Sequence, residues 1–241
     1  MLKPSNNFIK DLKKQKRENS SLLFLDNVKI IRDAIGSGLK PLYILLDDEN
    51  INLGNYSYPV YKVDKKIIEH FSDTKTPQGV VCVLEYTQNI VEKPKSNFLV
   101  LDSLQDPGNV GTLIRTAYAS GFEYVFLIDS VKPTNPKLVR STVGALFHTK
   151  VISLNKKEFI NFAKLNNLQL ISSDMEGENI FNFKASGLVG IVIGNEGQGV
   201  SNEIKELCSQ TVKIPMKQGI ESLNASISGA IIMYQINKDN I

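Results

Sequence analysis

Three stretches of the chain carry residue types able to do chemistry at a spacing that chemistry can use. The first is Asp102-Ser-Leu-Gln-Asp-Pro-Gly-Asn109-Val-Gly-Thr-Leu-Ile-Arg115. Asn109 stands where a helix N-cap belongs, and Arg115 follows six residues later. Free amides at a helix start beside a guanidinium make an anion site. The same residues also suit a capped helix with a surface arginine. The second stretch is Gly194-Asn-Glu-Gly-Gln-Gly199. Three glycines around one carboxylate describe a loop that bends sharply or comes close to a ligand. Its GxxGxG spacing is not the dinucleotide fingerprint GxGxxG, and it falls late in the chain, which argues against a nucleotide-cofactor oxidoreductase. The third stretch is Pro215-Met-Lys-Gln-Gly-Ile-Glu-Ser-Leu-Asn224-Ala-Ser-Ile-Ser-Gly-Ala230. It opens an apolar helix whose first turns carry small residues, so another backbone or subunit can approach closely.

Each stretch follows a run with strand character. Strand-like runs fall at 98–101, 124–128, 150–153, 168–172, 189–193 and 211–214, with helical stretches at 110–120, 137–146, 156–166, 202–207 and 223–235 between them. Strands alternating with helices predict a parallel sheet covered on both faces. Ligands of such sheets bind beyond the carboxyl ends of the strands, where the three stretches lie. A smaller unit precedes it. Runs at 22–25, 41–46, 60–63 and 79–84 read as strands, with helices at 28–38 and 64–71. Residues 86–97 lose periodicity and read as a linker. The expected division is residues 1–92 and residues 93–241.

The 241 residues suffice for one large or two smaller cores. The composition, with 22% charged residues and a net charge of +3, is that of a globular chain. No apolar run reaches the roughly 18 residues a membrane span needs. Met1-Leu-Lys-Pro-Ser has no apolar signal core. Two cysteines outside any CxxC and two distant histidines argue against a disulfide framework and a metal centre. A cytoplasmic protein without membrane or metal partners is expected. The first twenty residues concentrate Lys3, Lys10, Lys13, Lys14, Lys16 and Arg17. They form either a solvated terminal segment or an arm on a phosphate backbone. Only Arg17, Arg32, Arg115 and Arg140 are arginines among 28 basic residues, so Arg115 and Arg140 mark places where a planar fork matters.

Taken together and in this order, the three stretches resemble the SpoU (TrmH) family of RNA 2′-O-ribose methyltransferases, within the SPOUT superfamily. The first motif is Gln105-Asp-Pro-Gly-Asn-Val-Gly-Thr-Leu-Ile-Arg-Thr-Ala, the second Ile193-Gly-Asn-Glu-Gly-Gln-Gly-Val, and the third runs from Ile214-Pro-Met through Glu221-Ser-Leu-Asn-Ala-Ser. A further family-like element is Arg140-Ser-Thr-Val-Gly-Ala-Leu-Phe147. The resemblance covers residues 98–236. The leading block resembles the small α/β substrate-binding domain that often precedes this catalytic domain, most clearly in Phe71-Ser-Asp-Thr-Lys-Thr-Pro-Gln-Gly-Val. It departs from relatives at Leu25-Asp26-Asn27, where a Glu-Gly is common.

The resemblance implies an α/β fold whose C-terminal parallel sheet carries a deep trefoil knot, preceded by a small α/β RNA-binding domain. It implies S-adenosylmethionine as cofactor, held by Gly194, Ile214 and Leu223 with Glu196, Gly197, Met216 and Ala225 around it. It places Arg115 at the ribose hydroxyl, as base or as phosphate clamp. Asn109 would orient Arg115 or the ribose, and Glu196 would position Arg115. Ser222 and Asn224 would bond the substrate phosphate or the cofactor. Arg140, Arg17 and Lys16 would contact RNA. The partners implied are RNA, ribosomal 23S RNA ahead of transfer RNA, and a second copy of the chain in a homodimer. A non-catalytic RNA-binding relative and a base-N-methylating enzyme are the competing readings. The intact Asn109, Arg115 and Asn224 argue against the first, and the Asn109–Arg115 pair with Ser222-Leu-Asn224 against the second.

Overall fold

The computed structural model describes residues 1–18, 21–48, 50–54, 58–220 and 222–239. Contacts divide the chain into Met1–Thr87 and Gln88–Ile241. No helix among the described residues is long and apolar enough to cross a membrane.

The leading unit runs Asn6–Glu18 (α1), Leu22–Leu25 (β1), Val28–Gly36 (α2), Tyr43–Leu46 (β2), Val60–Lys62 (β3), Lys65–Phe71 (α3) and Val80–Glu85 (β4). Its strands lie in the order β1-β4-β2-β3. Strand β4 is antiparallel to β1 and β2, while β2 and β3 are parallel. The basic leading segment is neither frayed nor wholly solvated. Leu12 of α1 is buried, and Phe8 stacks on Tyr61 with ring centroids 4.7 Å apart. Lys16, expected at RNA, turns inward. Its Nζ donates to the Phe71 carbonyl at 2.8 Å and to Asp73 Oδ1 at 3.3 Å, 5.6 Å from the Phe24 ring centre. Arg17 is exposed. Leu25-Asp26-Asn27 does local structural work. Asn27 caps α2 by accepting from the Ile30 amide at 3.1 Å. Asp26, nearly fully buried, accepts from Ser72 Oγ at 2.6 Å and from the Asp73 amide at 2.9 Å, which fixes the turn after α3.

The second unit runs Phe98–Asp102 (β5), Pro107–Ala119 (α4), Tyr124–Ile128 (β6), Pro136–Thr142 (α5), a 3-10 turn at Ala145–Phe147, Lys150–Leu154 (β7), Lys156–Leu165 (α6), Leu170–Asn179 (β8), Gly190–Gly194 (β9), Asn202–Lys205 (α7), Cys208–Lys213 (β10) and Ala225–Asn237 (α8). Among the described residues these strands form one six-stranded sheet, β10-β8-β9-β5-β6-β7, parallel throughout. Its central strands are buried on both faces and so read as unbroken apolar runs. Phe98, Val100, Tyr124, Phe126 and Ile152 pack against Phe159 of α6 and Ile204 of α7. The intervening residues, such as Leu101, Leu127 and Ile193, are buried on the opposite face.

Three features differ from the sequence expectation, each for a local reason. Helix α4 begins at Pro107 because Asp106, not Asn109, is its N-cap: Asp106 Oδ1 accepts from the Asn109 amide at 2.8 Å. Asn109 is therefore the third residue of the helix. Strand β8 continues to Asn179 because β10 stays paired beside it across two register shifts. Residues 88–92 belong to the second unit. Gln88 and Asn89 donate their side-chain amides to the carbonyls of Ser153 and Val151 on edge strand β7, and Glu92 bonds Tyr124 and Lys150.

Helix α4 crosses α5 at Gly111. A Cβ there would sit 2.5 Å from Ser141 Cβ and 2.7 Å from the Leu138 carbonyl. Helix propensity alone favours Gly111→Ala by about 1 kcal/mol. The crossing reverses the sign, and we expect Gly111→Ala to destabilise by roughly 1–3 kcal/mol. A urea midpoint at or above that of the parent protein contradicts this packing.

Candidate active site

A cavity of about 500 Å³ opens at the carboxyl ends of β9 and β10, beside the middle of β8 and against the start of α8. That is the place an open parallel sheet offers a ligand, and the size is that of a cofactor site. Its walls come from three segments: Ser173–Met175 in the middle of β8, the loop after β9, and the stretch from Lys213 to α8.

The loop after β9 is shaped by its own backbone. The amides of Asn195 and Gly199 each donate to the other's carbonyl, at 3.0 and 2.9 Å. Asn195 Oδ1 accepts from the amides of Gly197 and Gln198, and its Nδ2 donates to the Ser103 carbonyl at 2.9 Å, tying the loop to the end of β5. The exit is held by buried Asp102, whose Oδ2 accepts from the Ser201 amide at 2.7 Å. Gly194 is required for this closure, because a Cβ on it would strike the backbone of Gly199 and Val200.

The three stretches meet in one chain of hydrogen bonds at the cavity. Asn109 Nδ2 donates to Glu196 Oε1 at 2.9 Å, and Asn224 Nδ2 donates to Asn109 Oδ1 at 3.0 Å. Asn224 Oδ1 then caps α8, accepting from the amides of Ser226 at 2.9 Å and Ile227 at 3.4 Å and from Ser226 Oγ at 2.6 Å. A carboxylate accepts only, so it fixes the Asn109 amide, which fixes the Asn224 amide, which leaves an oxygen facing the helix start.

Gly194, Glu196, Ile214, Met216, Ser222, Leu223, Asn224 and Ala225 all line the cavity. Gly197 does not line it; its amide serves the loop's internal bond. Glu221 of the third motif lies outside the described residues. Arg115 is exposed, lies outside the cavity lining, and has no hydrogen-bond or ion-pair partner among the described residues. The expected Glu196–Arg115 bond is replaced by Glu196–Asn109. Six residues along a helix put Arg115 about 120° around the axis from Asn109 and about 9 Å along it. Arg140 is half-buried on α5. Sequence reading missed Ser173, Asp174, Met175, Lys213 and Ser228. Applying the strand-end rule to the run 168–172 as well as to β9 would have reached the first three.

The charged groups at the cavity balance one another. A hydrogen bond from Lys205 Nζ at 2.6 Å holds the Asp174 carboxyl below the usual carboxylate range. Asp174 is thus paired with Lys205, which leaves one carboxylate, Glu196, and one ammonium, Lys213, in the rest of the lining. Met175, Ile193, Ile214, Met216 and Leu223 supply apolar wall. A purine, a sulfonium and an amino-acid head would each find a matching surface here. Among the described residues no cluster of His, Cys, Asp and Glu is placed to hold a metal ion.

Comparison with known proteins gives the class first. The fold matches an S-adenosylmethionine-bound rRNA methyltransferase from Sinorhizobium meliloti with a TM-score of 0.87, covering 100% of this chain and 98% of that one at 24% identity. The chain therefore shares the fold of that protein along its whole length. The model of the SpoU rRNA Methylase family matches residues 96–234. A putative TrmH family tRNA/rRNA methyltransferase of Staphylococcus saprophyticus is 32% identical over 229 residues, 86% of this chain and 91% of the relative. The 23S rRNA (guanosine(2553)-2′-O)-methyltransferase RlmP of Bacillus subtilis is 26% identical over 239 residues, 96% of each. The chain belongs to the SpoU family of RNA methyltransferases, enzymes that use S-adenosylmethionine.

Two outcomes test this geometry. Gly194→Ala is expected to abolish S-adenosylmethionine binding in calorimetry while leaving the far-ultraviolet spectrum intact; binding at the parental affinity removes the loop closure from the site. The Asp106 carboxyl is held below its ordinary range, first by the Asn109 amide and then by Lys137. Its capping contribution is therefore present above the unfolded-state value and lost as pH falls through the folded one. Asp106→Ala should cost about 1 kcal/mol near neutrality, and the gap should close in acid. A gap independent of pH counts against the ionised cap.

Proposed function

We propose that this chain transfers the methyl group of S-adenosylmethionine to a ribose 2′-hydroxyl of ribosomal RNA, in the cytoplasm and as a homodimer. The observation that carries the reading is the Glu196–Asn109–Asn224 chain, which joins all three motifs at the edge of one cavity. The trefoil knot belongs to the same reading. It is supported by the way the loop after β9 and the stretch 213–225 wall a single cavity. Large-subunit RNA is favoured over transfer RNA by the separate leading unit and by the end-to-end similarity to the B. subtilis 23S enzyme.

The cavity fits the cofactor in size and in its mix of apolar wall and acidic groups. Gly194, Ile214 and Leu223 would hold it, with Met216 and Ala225 beside the adenine. When bound, it supplies a methyl group already activated on a sulfonium. The residues of the chain have a positioning task. Glu196 and Asn224 lock the Asn109 amide, and Ser222 offers a hydroxyl to the RNA phosphate or the cofactor. Alignment of the attacking oxygen accounts for much of the rate in such a transfer.

Arg115 is the group for the hydroxyl and its phosphate, and its position calls for a second copy or the RNA to bring the two together. Support for the second copy comes from α8. Leu223, Ile227 and Tyr234 are exposed at about helical spacing, the first two close to Asn224 and the third further along α8. A second copy covering this stripe would bury them and close the cavity mouth.

Three measurements decide. Tritiated methyl transfer to 23S RNA from a strain lacking the gene, with the position mapped by mass spectrometry, should show one methylated ribose; methylation of a base refutes the reaction. Arg115→Lys should lose roughly 100-fold in kcat with cofactor affinity retained; near-full activity removes Arg115 from the chemistry. Ile227→Asp should give a monomer by sedimentation that no longer binds cofactor, whereas an active monomer removes the dimer.

A further inference from the structure

Helix α4 has a second flank that the cavity does not use. Tyr118 is half-exposed and stacks on His148, with ring centroids 5.4 Å apart and planes inclined by 23°. Tyr118 lies nine residues from Asn109, about half a revolution around the axis. It also lies about 140° from Leu113, the residue that faces Gly229 of α8. The pair is therefore turned away from both the cavity and the apolar stripe of α8. Arg115 sits about 60° from Tyr118 on the same side of α4. Arg140 of α5 precedes Ser141, which meets Gly111 at the helix crossing one turn before Arg115. These two are the arginines of the second unit, and neither has a hydrogen-bond or ion-pair partner among the described residues.

The backbone that delivers His148 is strained. Val143 caps α5 in the left-handed region, φ 50° and ψ 42°, and Gly144 follows at φ 92°. A β-branched residue there is a real outlier, and such strain persists only where the surroundings enforce it. Here they do. Thr142 Oγ1 donates to the Val139 carbonyl at 2.7 Å, Thr149 Oγ1 to the Ala145 carbonyl at 2.9 Å, and Ala145 and Leu146 are buried. The turn places an imidazole ring, eight residues along the chain from Arg140, on an exposed phenol ring, three residues along α4 from Arg115; both guanidiniums lack an anionic partner among the described residues.

We propose that the Tyr118–His148 stack, with Arg115 and Arg140, is a landing surface for single-stranded RNA, on which an unpaired base next to the target nucleotide stacks while the arginines take its phosphates. The proposal rests on the RNA methyl-transfer reading. The chemistry favours RNA over a protein: aromatic faces accept any base, and planar guanidiniums bind phosphate bidentately.

The test uses the full chain and a single-stranded RNA dodecamer carrying a central 2-aminopurine and a terminal fluorescein. The parent protein should quench the 2-aminopurine on binding. Tyr118→Ala and His148→Ala should abolish the quenching and weaken binding by roughly 5- to 150-fold, the range of one base–aromatic stack. Tyr118→Phe and His148→Phe should restore both. Arg140→Gln should lower the slope of log affinity against log salt by about 0.7. Cofactor affinity by calorimetry and sedimentation behaviour should not change in Tyr118→Ala. Parental affinity and quenching in both alanine variants overturn the proposal. Loss of self-association or of cofactor binding in Tyr118→Ala also overturns it, making the pair a subunit contact or a structural support. A parent protein that quenches the RNA but binds no S-adenosylmethionine sinks the methyl-transfer reading and leaves the landing surface standing.

Discussion

The site depends on one acceptor-only group. Glu196 offers its carboxylate to Asn109, and from that bond the orientation of two amides and the cap of α8 follow in sequence. Residues more than a hundred positions apart are thereby held in a single register at the cavity edge. Each depends on support of its own. Asp106 sets where α4 starts and hence which way Asn109 faces. Asn195 ties the loop bearing Glu196 to the end of β5. The sheet supplies fixed strand ends, and the side chains beyond them set the geometry of the site.

Much of the architecture was legible because the second unit is built of uninterrupted apolar runs separated by amphipathic stretches. A strand buried on both faces can hardly be written otherwise. The three motifs were also legible, since glycines and polar residues directly after such runs stand out. The motif pattern by itself does not convey direction. Asn109 and Arg115 share a helix and look like a pair in one dimension. Their six-residue spacing sets them on different flanks wherever α4 begins; its start at Pro107 makes Asn109 a helical residue and not the cap. The Asp-Pro step just before was the available signal, with a good cap followed by the residue best suited to a first helical position.

The leading unit was less legible for a related reason. Helix α1 carries so many lysines that its apolar face, Phe8, Ile9 and Leu12, was submerged in the charge count. Lys16 shows that charge in sequence is not charge at the surface: a long side chain can run along an aromatic ring and spend its ammonium on a carbonyl. Likewise Asp26 is a buried acceptor organising the turn after α3.

The segment 88–92 has a bearing on how the molecule avoids sticking to its neighbours. Strand β7 ends the sheet, and an open edge of this kind is a template on which foreign strands assemble. Gln88 and Asn89 occupy the carbonyls of Val151 and Ser153 with side-chain amides, which offer no continuing backbone ladder to an incoming chain. Five residues that resemble mere connecting thread thus act as a selvedge, finishing the fabric so that it does not unravel into aggregates.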